Sequence, residues 1–570
     1  MIRINNRFLT PQALLFTGVT FLTAYLTLIP LMVTLYGSFR TSPPGLPSSL
    51  TLANYVRAFS SESLLGAIGN SVFFASCSAT LSLVLGTFLA WITERTDAPL
   101  KRLIYAGAAM SIIAPGVLIM ISWVLLLSPQ IGLLNLWLKQ IPGLDAFSLN
   151  IFSMGGIIWA FGSDHFPLAF LLMAAGFRSM DPALEEAAFV AGSGPTQTQF
   201  RITAWLLLPY SLAAWMLLFI RGIETFEAPA ILGLPAKIFF LSTEIYFAVN
   251  TSPPDYNLAT TYSVVYLLVA FVGMGIYLRV TRASERYATI TGKGYRPRIF
   301  QMGRWRWPLA CVGQLLLALS IWLPLLIILW ASLLPWYSSP SMDALGRVSL
   351  ENYRWILNFP VVRRAFLNNL IVGTGSATSV VLLTSVIAWI VIRSRIPGRK
   401  LLDVLAFAPI CFPGIVVGLS ILWLYLLLPI PIYGTLWMLF LAYTGKYTPI
   451  SMRACYAGLS QVHSELEDAS SACGAGWGQT FFRIVTPLIF PSMIVGWVYV
   501  LSLTFKVLSL PILLSGPGNE VLPVLIFDLY DGGDYTKLNA LGVLIIGFVT
   551  MLSLAARTVG YRIGIDTLRS

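Results

Sequence analysis

Ionisable side chains inside apolar segments are the most chemically suggestive residues of this 570-residue sequence. A charge within a membrane-spanning segment is costly and usually serves a function. Carboxylates could act there as transient oxygen ligands of a hard cation, but carboxylates and histidines are too sparse for a tight metal site. We therefore interpret these residues as candidates for a transport pathway or its gate: Asp164, His165, Arg221, Glu224, Glu227, Lys446 and Lys506.

Catalytic motifs are missing from the sequence. No GxxxxGK[ST] phosphate loop occurs, because the Gly-Lys steps at Lys293 and Lys446 are followed by Gly294 and Tyr447. Neither histidine lies in an HExxH motif, and the five cysteines form no CxxC pair. We therefore expect no catalytic residue, no metal site and no cofactor bound by this chain.

A short pattern that could dock to another surface occurs twice, 282 residues apart. It spans 181–192 and 463–474, and each copy is followed by an Arg-Ile step. Gly192 and Gly474 close the two copies, where a left-handed helix stop is expected. Each copy therefore predicts a short, acid-tipped helix in a loop between two spans.

Capping residues and small side chains define these two predicted loop helices. Asp181 is a good N-cap for the first helix, while Ser464 and Glu467 have the spacing of a capping box in the second. An amphipathic helix lying against the membrane would explain either copy alone, but two copies in register favour docking. The small and apolar side chains that permit close approach share one face, namely Leu184, Ala187, Ala188 and Ala191 in the first copy and Leu466, Ala469, Ser470 and Cys473 in the second.

Membrane-spanning helices are the elements that must position these residues. Hydrophobic residues make up 57% of the chain, charged residues make up 11%, and the mean hydropathy is +0.79, which indicates a polytopic membrane protein. Apolar stretches of about 20 residues can cross a bilayer. Twelve such stretches place both termini on one side, and they fall near 12–37, 67–92, 103–127, 151–176, 206–226, 258–278, 308–334, 366–392, 402–428, 433–458, 488–513 and 538–556.

The distribution of basic residues predicts the orientation. Of the 36 Lys and Arg residues, 23 lie in segments on the side of the termini, nine lie on the opposite side and four lie within predicted spans. This bias places both termini in the cytoplasm. The net charge of +12 is therefore topological, and nucleic-acid binding is not expected. A basic segment, 282–306, is predicted to be a cytoplasmic linker between two six-span repeats, 1–281 and 307–570.

The two halves of the chain match beyond the loop pattern. Asn54 corresponds to Asn352 at an offset of 298 residues, and the offset falls to 282 by Pro167 and Pro449. Because both copies of the loop pattern lie on the same side, the repeat is parallel, with a pseudo-twofold axis along the membrane normal. The sequence therefore predicts an all-α polytopic fold of about twelve transmembrane helices in two six-helix repeats.

This alignment sets acid in the first half against base in the second. Asp164 corresponds to Lys446, and Glu224 corresponds to Lys506. One hypothesis is that these residues meet across the pseudo-twofold interface as ion pairs, so that exchanging Glu224 with Lys506 would rescue a charge reversal. The alternative hypothesis is that each charge packs or snorkels separately.

With these residues the chain resembles the membrane subunits of binding-protein-dependent ABC importers. Their signature is a Glu-Ala-Ala loop with a Gly six residues after the Glu and an Ile ten residues beyond. A Pro three residues after the Ile closes the pattern; Pro487 satisfies it, whereas Trp205 occupies that place in the first copy. The signature is matched by Glu186-Ala187-Ala188, Gly192 and Ile202, and by Asp468-Ala469-Ser470, Gly474 and Ile484. By resemblance, the ATPase-coupling residues are Leu184, Glu185, Glu186, Ala187, Ala188, Gly192, Leu466, Glu467, Asp468, Ala469, Ser470 and Gly474.

The resemblance implies a fold like that of type I ABC importers and a set of partners. Two cytoplasmic ATPase subunits would each receive one loop helix and use ATP and Mg²⁺, and an extracytoplasmic solute-binding protein would deliver the solute. The fused two-half form looks most like ferric-iron permeases, so ferric iron leads as substrate, with thiamine, a phosphonate or a polyamine open. The protein would lie among the lipids of a bacterial-type inner membrane. An ion-gradient-driven secondary transporter is the alternative, although it gives no reason for two matched loops.

Overall fold

The computed structural model of the chain describes residues 11–143, 147–284, 299–394 and 396–562. Within these ranges the regular structure is helical, and the only β pairing is two isolated bridges. Apolar segments fold this way because a helix satisfies its own backbone hydrogen bonds where no water is available. The predicted all-α fold is confirmed.

Most of the predicted spans are single long helices. In the described part of the chain, nine helices are long and apolar enough to cross a membrane, and two bent helix pairs raise this number to eleven if each pair counts as one span. The nine are Leu14–Ser38, Glu62–Arg95, Met154–Arg178, Thr196–Glu224, Tyr256–Arg279, Gly303–Ser332, Pro360–Arg393, Trp477–Thr504 and Tyr535–Ala555. The remaining predicted span, near 433–458, is the 25-residue helix Leu436–Ser460.

The two bent pairs occupy the predicted spans near 103–127 and 402–428. Lys101–Ser111 meets Gly116–Leu127 at 107°, and Arg399–Cys411 meets Gly414–Leu427 at 110°. A proline stands at each break, and its extended backbone begins a new helix in another direction. The prolines are Pro115 and Pro413, which the repeat alignment pairs at the offset of 298.

Equivalent helices recur in the two halves. The asparagine side chain of Asn54 donates to two backbone carbonyls near the end of the first span, and Asn352 does the same near the end of the seventh. Trp215 donates to Thr80, as Trp497 donates to Thr378. The corresponding helices are Ala53–Ser60 and Glu351–Asn358, Glu62–Arg95 and Pro360–Arg393, Met154–Arg178 and Leu436–Ser460, and Leu241–Asn250 and Leu522–Asp531.

Close packing joins the helices within each half. The long helix Glu62–Arg95 packs on Met154–Arg178, and a Cβ added at Gly86 would lie 2.5 Å from the Cβ of Ala169. A continuous apolar core then includes buried residues of both halves. The division at 281 and 307 stays a prediction, because linker residues 285–298 lie outside the described residues. The sidedness of the termini also stays a prediction, since residues 1–10 and 563–570 lie outside them.

Candidate coupling helices and intramembrane charges

The first loop helix is Pro182–Val190, in the loop predicted for it. The Asp181 carboxylate accepts a hydrogen bond from the Ala183 N–H at 2.9 Å, which confirms the predicted N-cap. Gly192 has φ of +87°, and the Ser193 N–H donates to the Ala188 carbonyl at 2.9 Å. The helix therefore ends in the predicted left-handed stop.

The second loop helix is Glu465–Ala472 and ends in the same way, at Gly474 with φ of +81°. The predicted capping box is wrong. Ser464 has a helical backbone and makes no side-chain cap. Glu467 is instead held by an ion pair with Arg393 Nε at 2.9 Å and by a hydrogen bond from Trp389 Nε1 at 2.8 Å. Because Glu467 contacts Arg393 and Trp389, its carboxylate does not cap the helix at Ser464.

One acid at the same position of each motif fixes the loop helix to a spanning helix. Glu185 forms an ion pair with Arg95 at the end of Glu62–Arg95, and their side chains are 0% and 1% exposed. The Thr203 hydroxyl also donates to Glu185, at 2.6 Å. Arg393 and Glu467 form the corresponding pair in the second half. We call these two Arg–Glu pairs the clamps.

The other motif residues divide into buried and exposed positions. Ala188 and Ser470 are buried against their own loops, and the Ser470 and Thr480 hydroxyls lie 2.9 Å apart. The outward surface of the two helices comprises Leu184, Glu186, Ala187, Leu466, Asp468 and Ala469. Val190, which is 90% exposed, also belongs to it. The predicted docking face is therefore only partly exposed, because two of its members, Ala188 and Ser470, pack inward.

Sequence reasoning missed the partners that complete the clamps. Arg95, Arg393, Thr203 and Trp389 were not singled out, although Arg95 and Arg393 are equivalent at the offset of 298. Trp389 also stacks on Trp477, with ring centroids 4.1 Å apart. A paired arginine at the end of matching spans was the signal that could have found the clamps.

The end of the linker lies beside the first clamp. Thr96 and Phe300 form an isolated bridge, in which the Phe300 N–H donates to the Arg95 carbonyl at 2.8 Å. The Asp97 carboxylate accepts from the Met302 N–H, also at 2.8 Å. The chain entering the second half is therefore attached to the region that holds the first loop helix.

The intramembrane charges pair between halves, but with partners other than those proposed. Glu224 forms an ion pair with Lys446, and Arg221 lies 3.7 Å from the second oxygen of Glu224. Lys506 interacts electrostatically with Asp164. The proposed Glu224–Lys506 pairing is therefore wrong. Glu224 and Lys506 are equivalents related by the pseudo-twofold axis, so the contact of Glu224 with Lys446 has its counterpart in that of Lys506 with Asp164.

Glu227 and His165 make other contacts. Glu227 accepts a hydrogen bond from the Leu508 N–H of the second half at 3.0 Å. The His165 ring stacks on Phe161 with centroids 3.9 Å apart, and its Nδ1 lies 3.4 Å from Asp164. No group of three His, Cys, Asp or Glu side chains suited to a metal ion occurs among the residues the structure describes.

Comparison with known proteins agrees with this architecture. Residues 380–563 match the family model of the binding-protein-dependent transport system inner membrane component. Over 500 residues the chain is 24% identical to the ferric transport system permease protein FbpB of Actinobacillus pleuropneumoniae. The aligned region covers 86% of this chain and 70% of that protein.

Two further relatives match one part of the chain. The putrescine transport system permease protein PotI of Escherichia coli K12 is 28% identical over 33% of this chain and 69% of its own length. The putative 2-aminoethylphosphonate transport system permease protein PhnV of Salmonella paratyphi A is 26% identical over 44% of this chain and 94% of its own length. Residues 380–563 thus match this family of permease components, and over most of its length the multi-pass chain resembles the ferric-iron transport permeases.

Proposed function

We propose that this permease is the translocation subunit of an ATP-driven importer that moves ferric iron inward across the membrane. The observation that carries the proposal is the pair of loop helices at equivalent places in both halves. Each loop helix is attached by its clamp to the end of a long spanning helix. Such an attachment can transmit the displacement of a docked subunit to the membrane.

The partners follow from the outward surface of the loop helices. Leu184 and Leu466 are 41% and 46% exposed and stand beside the acids Glu186 and Asp468. An apolar side chain flanked by charge suits a protein interface. We infer that two cytoplasmic ATPase subunits, which hydrolyse ATP with Mg²⁺, each receive one loop helix, and that an extracytoplasmic binding protein delivers the solute to the opposite face.

Bulky residues at the two helix stops should uncouple the assembled importer. The positive φ of Gly192 and Gly474 costs a non-glycine residue about 1–2 kcal/mol, so G192V and G474V should displace the loop helices. We expect substrate-stimulated ATP turnover of the reconstituted complex to fall by about tenfold or more. G194A is the matched control, because Gly194 lies in the same loop with ordinary φ and open space around it. Unchanged turnover in both valine variants would contradict the coupling role.

The intramembrane charges are inferred to line or gate the pathway. The Glu224–Lys446 pair joins a helix of the first half to a helix of the second. Glu227 also bonds to the backbone of the second half. Because alternating access requires the two halves to move apart on one side, these contacts must break or re-form during transport.

Ferric iron is favoured by the extent of the similarity. The ferric relative matches across both halves, whereas the putrescine and aminoethylphosphonate relatives match only 33% and 44% of this chain. Transport is tested in proteoliposomes that contain the permease, its ATPase and one candidate binding protein. We expect ATP-dependent uptake of ferric iron and no uptake of putrescine, 2-aminoethylphosphonate or thiamine. Uptake of one of these in place of iron would reassign the substrate, and uptake without nucleotide would favour a secondary transporter.

A further inference from the structure

An apolar cavity of about 380 Å³ lies in the second half, far from the loop helices. Its walls come from the short helix Glu351–Asn358, the first turns of Pro360–Arg393 and the helix Tyr535–Arg562. Because Arg393 of the clamp is at the other end of the same 34-residue helix, the cavity lies at the opposite membrane face. Three of its lining residues, Phe366, Phe505 and Phe548, pack against one another.

A single arginine stands among the apolar lining residues. Arg363 lines the cavity and is exposed. Its neighbour Arg364 is occupied, since it donates to both oxygens of Glu520 at 2.8 and 2.9 Å, and this contact lowers the pKa of Glu520. No ion pair of Arg363 occurs among the side chains that the structure describes. Its guanidinium is thus available to an anion at the mouth of an apolar cavity.

In the first half, a tyrosine stands at the helix position that corresponds to one cavity residue. Counted from the helix starts at Tyr256 and Tyr535, Tyr266 occupies the position of the cavity residue Ile545. Tyr266 is 1% exposed, and its hydroxyl donates to the carbonyl of Ile223, whose counterpart at the offset of 282 is Phe505.

The arginine also has no counterpart in the first half. At the offset of 298, Leu65 occupies the place of Arg363. The second half therefore combines Arg363 with the cavity residue Ile545. The first half has Leu65 and the larger Tyr266 at the corresponding positions.

We propose that this cavity binds one acyl chain of an anionic phospholipid whose phosphate group is held by Arg363. The lining side chains Leu357 and Leu544 are apolar and exposed, so the cavity opens to the outside of the molecule at an apolar edge. Apolar walls accept an acyl chain, and a guanidinium binds phosphate in a bidentate, charge-assisted way. A lipid satisfies both features at once, whereas a soluble anion would leave the apolar cavity unfilled.

Native mass spectrometry of the delipidated importer complex tests the proposal. The complex is titrated with dioleoylphosphatidylglycerol or with dioleoylphosphatidylcholine, and the lipids retained per complex are counted. We expect one phosphatidylglycerol to be retained, with about a tenfold preference over phosphatidylcholine, because the phosphate of phosphatidylcholine is neutralised by its own quaternary ammonium. Equal retention of the two lipids, or retention of detergent only, would overturn the proposal.

Two variants assign the bound lipid to this cavity. I545Y copies the first half and should abolish retention of the lipid, whereas I545V keeps the cavity open and should retain it. R363Q should keep an acyl chain but lose the preference for phosphatidylglycerol, and R347Q is its control at an arginine that does not line the cavity. L541Y replaces I545Y if the latter does not assemble. Lipid retained by both filling variants would place it elsewhere and refute the assignment.

Discussion

Reversing the charge of Glu224 should abolish transport, and reversing Lys446 in the same protein should restore part of it. E224K would place two lysines together between the halves, at a site where the side chains are only 16% and 11% exposed. Leaving a buried charge without its partner costs about 3–5 kcal/mol, which corresponds to a loss of roughly 100-fold or more in rate if the site acts during transport. Uptake by proteoliposomes of the single variants and of E224K/K446E measures this effect.

The matched control for this rescue is E224K/K506E. Lys506 is the sequence equivalent of Glu224 but interacts with Asp164, so its reversal should not restore transport. Assembly of each variant with the ATPase is checked by size-exclusion chromatography, which separates a transport defect from a failure to fold. Rescue by K506E in place of K446E would contradict the pairing described above.

Removing the Glu185 carboxylate should loosen the first loop helix and uncouple ATP turnover from transport. E185A leaves the Arg95 guanidinium unpaired in a site where both side chains are almost fully buried. We expect a loss of about 3–5 kcal/mol in local stability, seen as a lower unfolding temperature and a large fall in substrate-stimulated ATP turnover. The adjacent Glu186 is exposed, so E186A should weaken ATPase binding without changing the unfolding temperature.

The second clamp gives an internal comparison. E467A should have a smaller effect than E185A, because Glu467 and Arg393 are more exposed and Arg393 also donates to the carbonyls of Leu459 and Val462. Hydrogen exchange of the two loop helices would measure the difference directly. Equal protection of the first loop helix in E185A and in the unaltered protein would exclude a clamping role for Glu185.

Features that depend on local sequence were predictable. Long apolar runs specify spanning helices because the backbone must be satisfied internally, and Gly192 and Gly474 specify helix stops because other residues resist positive φ. The N-cap at Asp181 follows from the same short-range chemistry. The parallel repeat was predictable as well. Two copies of one loop pattern on the same side of the membrane are related by an axis along the membrane normal.

Features that depend on long-range contacts were not predictable. The alignment of the halves identifies equivalent residues, such as Glu224 and Lys506. It does not identify which residues meet at the interface, where Glu224 contacts Lys446. The capping box at Ser464 failed for a related reason, since Arg393 competes for Glu467 from a helix about 70 residues earlier in the chain. Local rules describe which nearby groups a side chain prefers to bind. They do not include groups from distant parts of the sequence that bind the same side chain in the folded protein.

The polarity of the intramembrane pairs determines which halves can assemble. In the interface observed, Glu224 of the first half forms an ion pair with Lys446 of the second, and Asp164 of the first half interacts electrostatically with Lys506 of the second. Two first halves from different chains would bring carboxylate against carboxylate, and two second halves would bring ammonium against ammonium. Each of these symmetric dimers is disfavoured by repulsion in a poorly solvated interface. The charge pattern therefore selects against the pairing of like halves from neighbouring copies during membrane insertion.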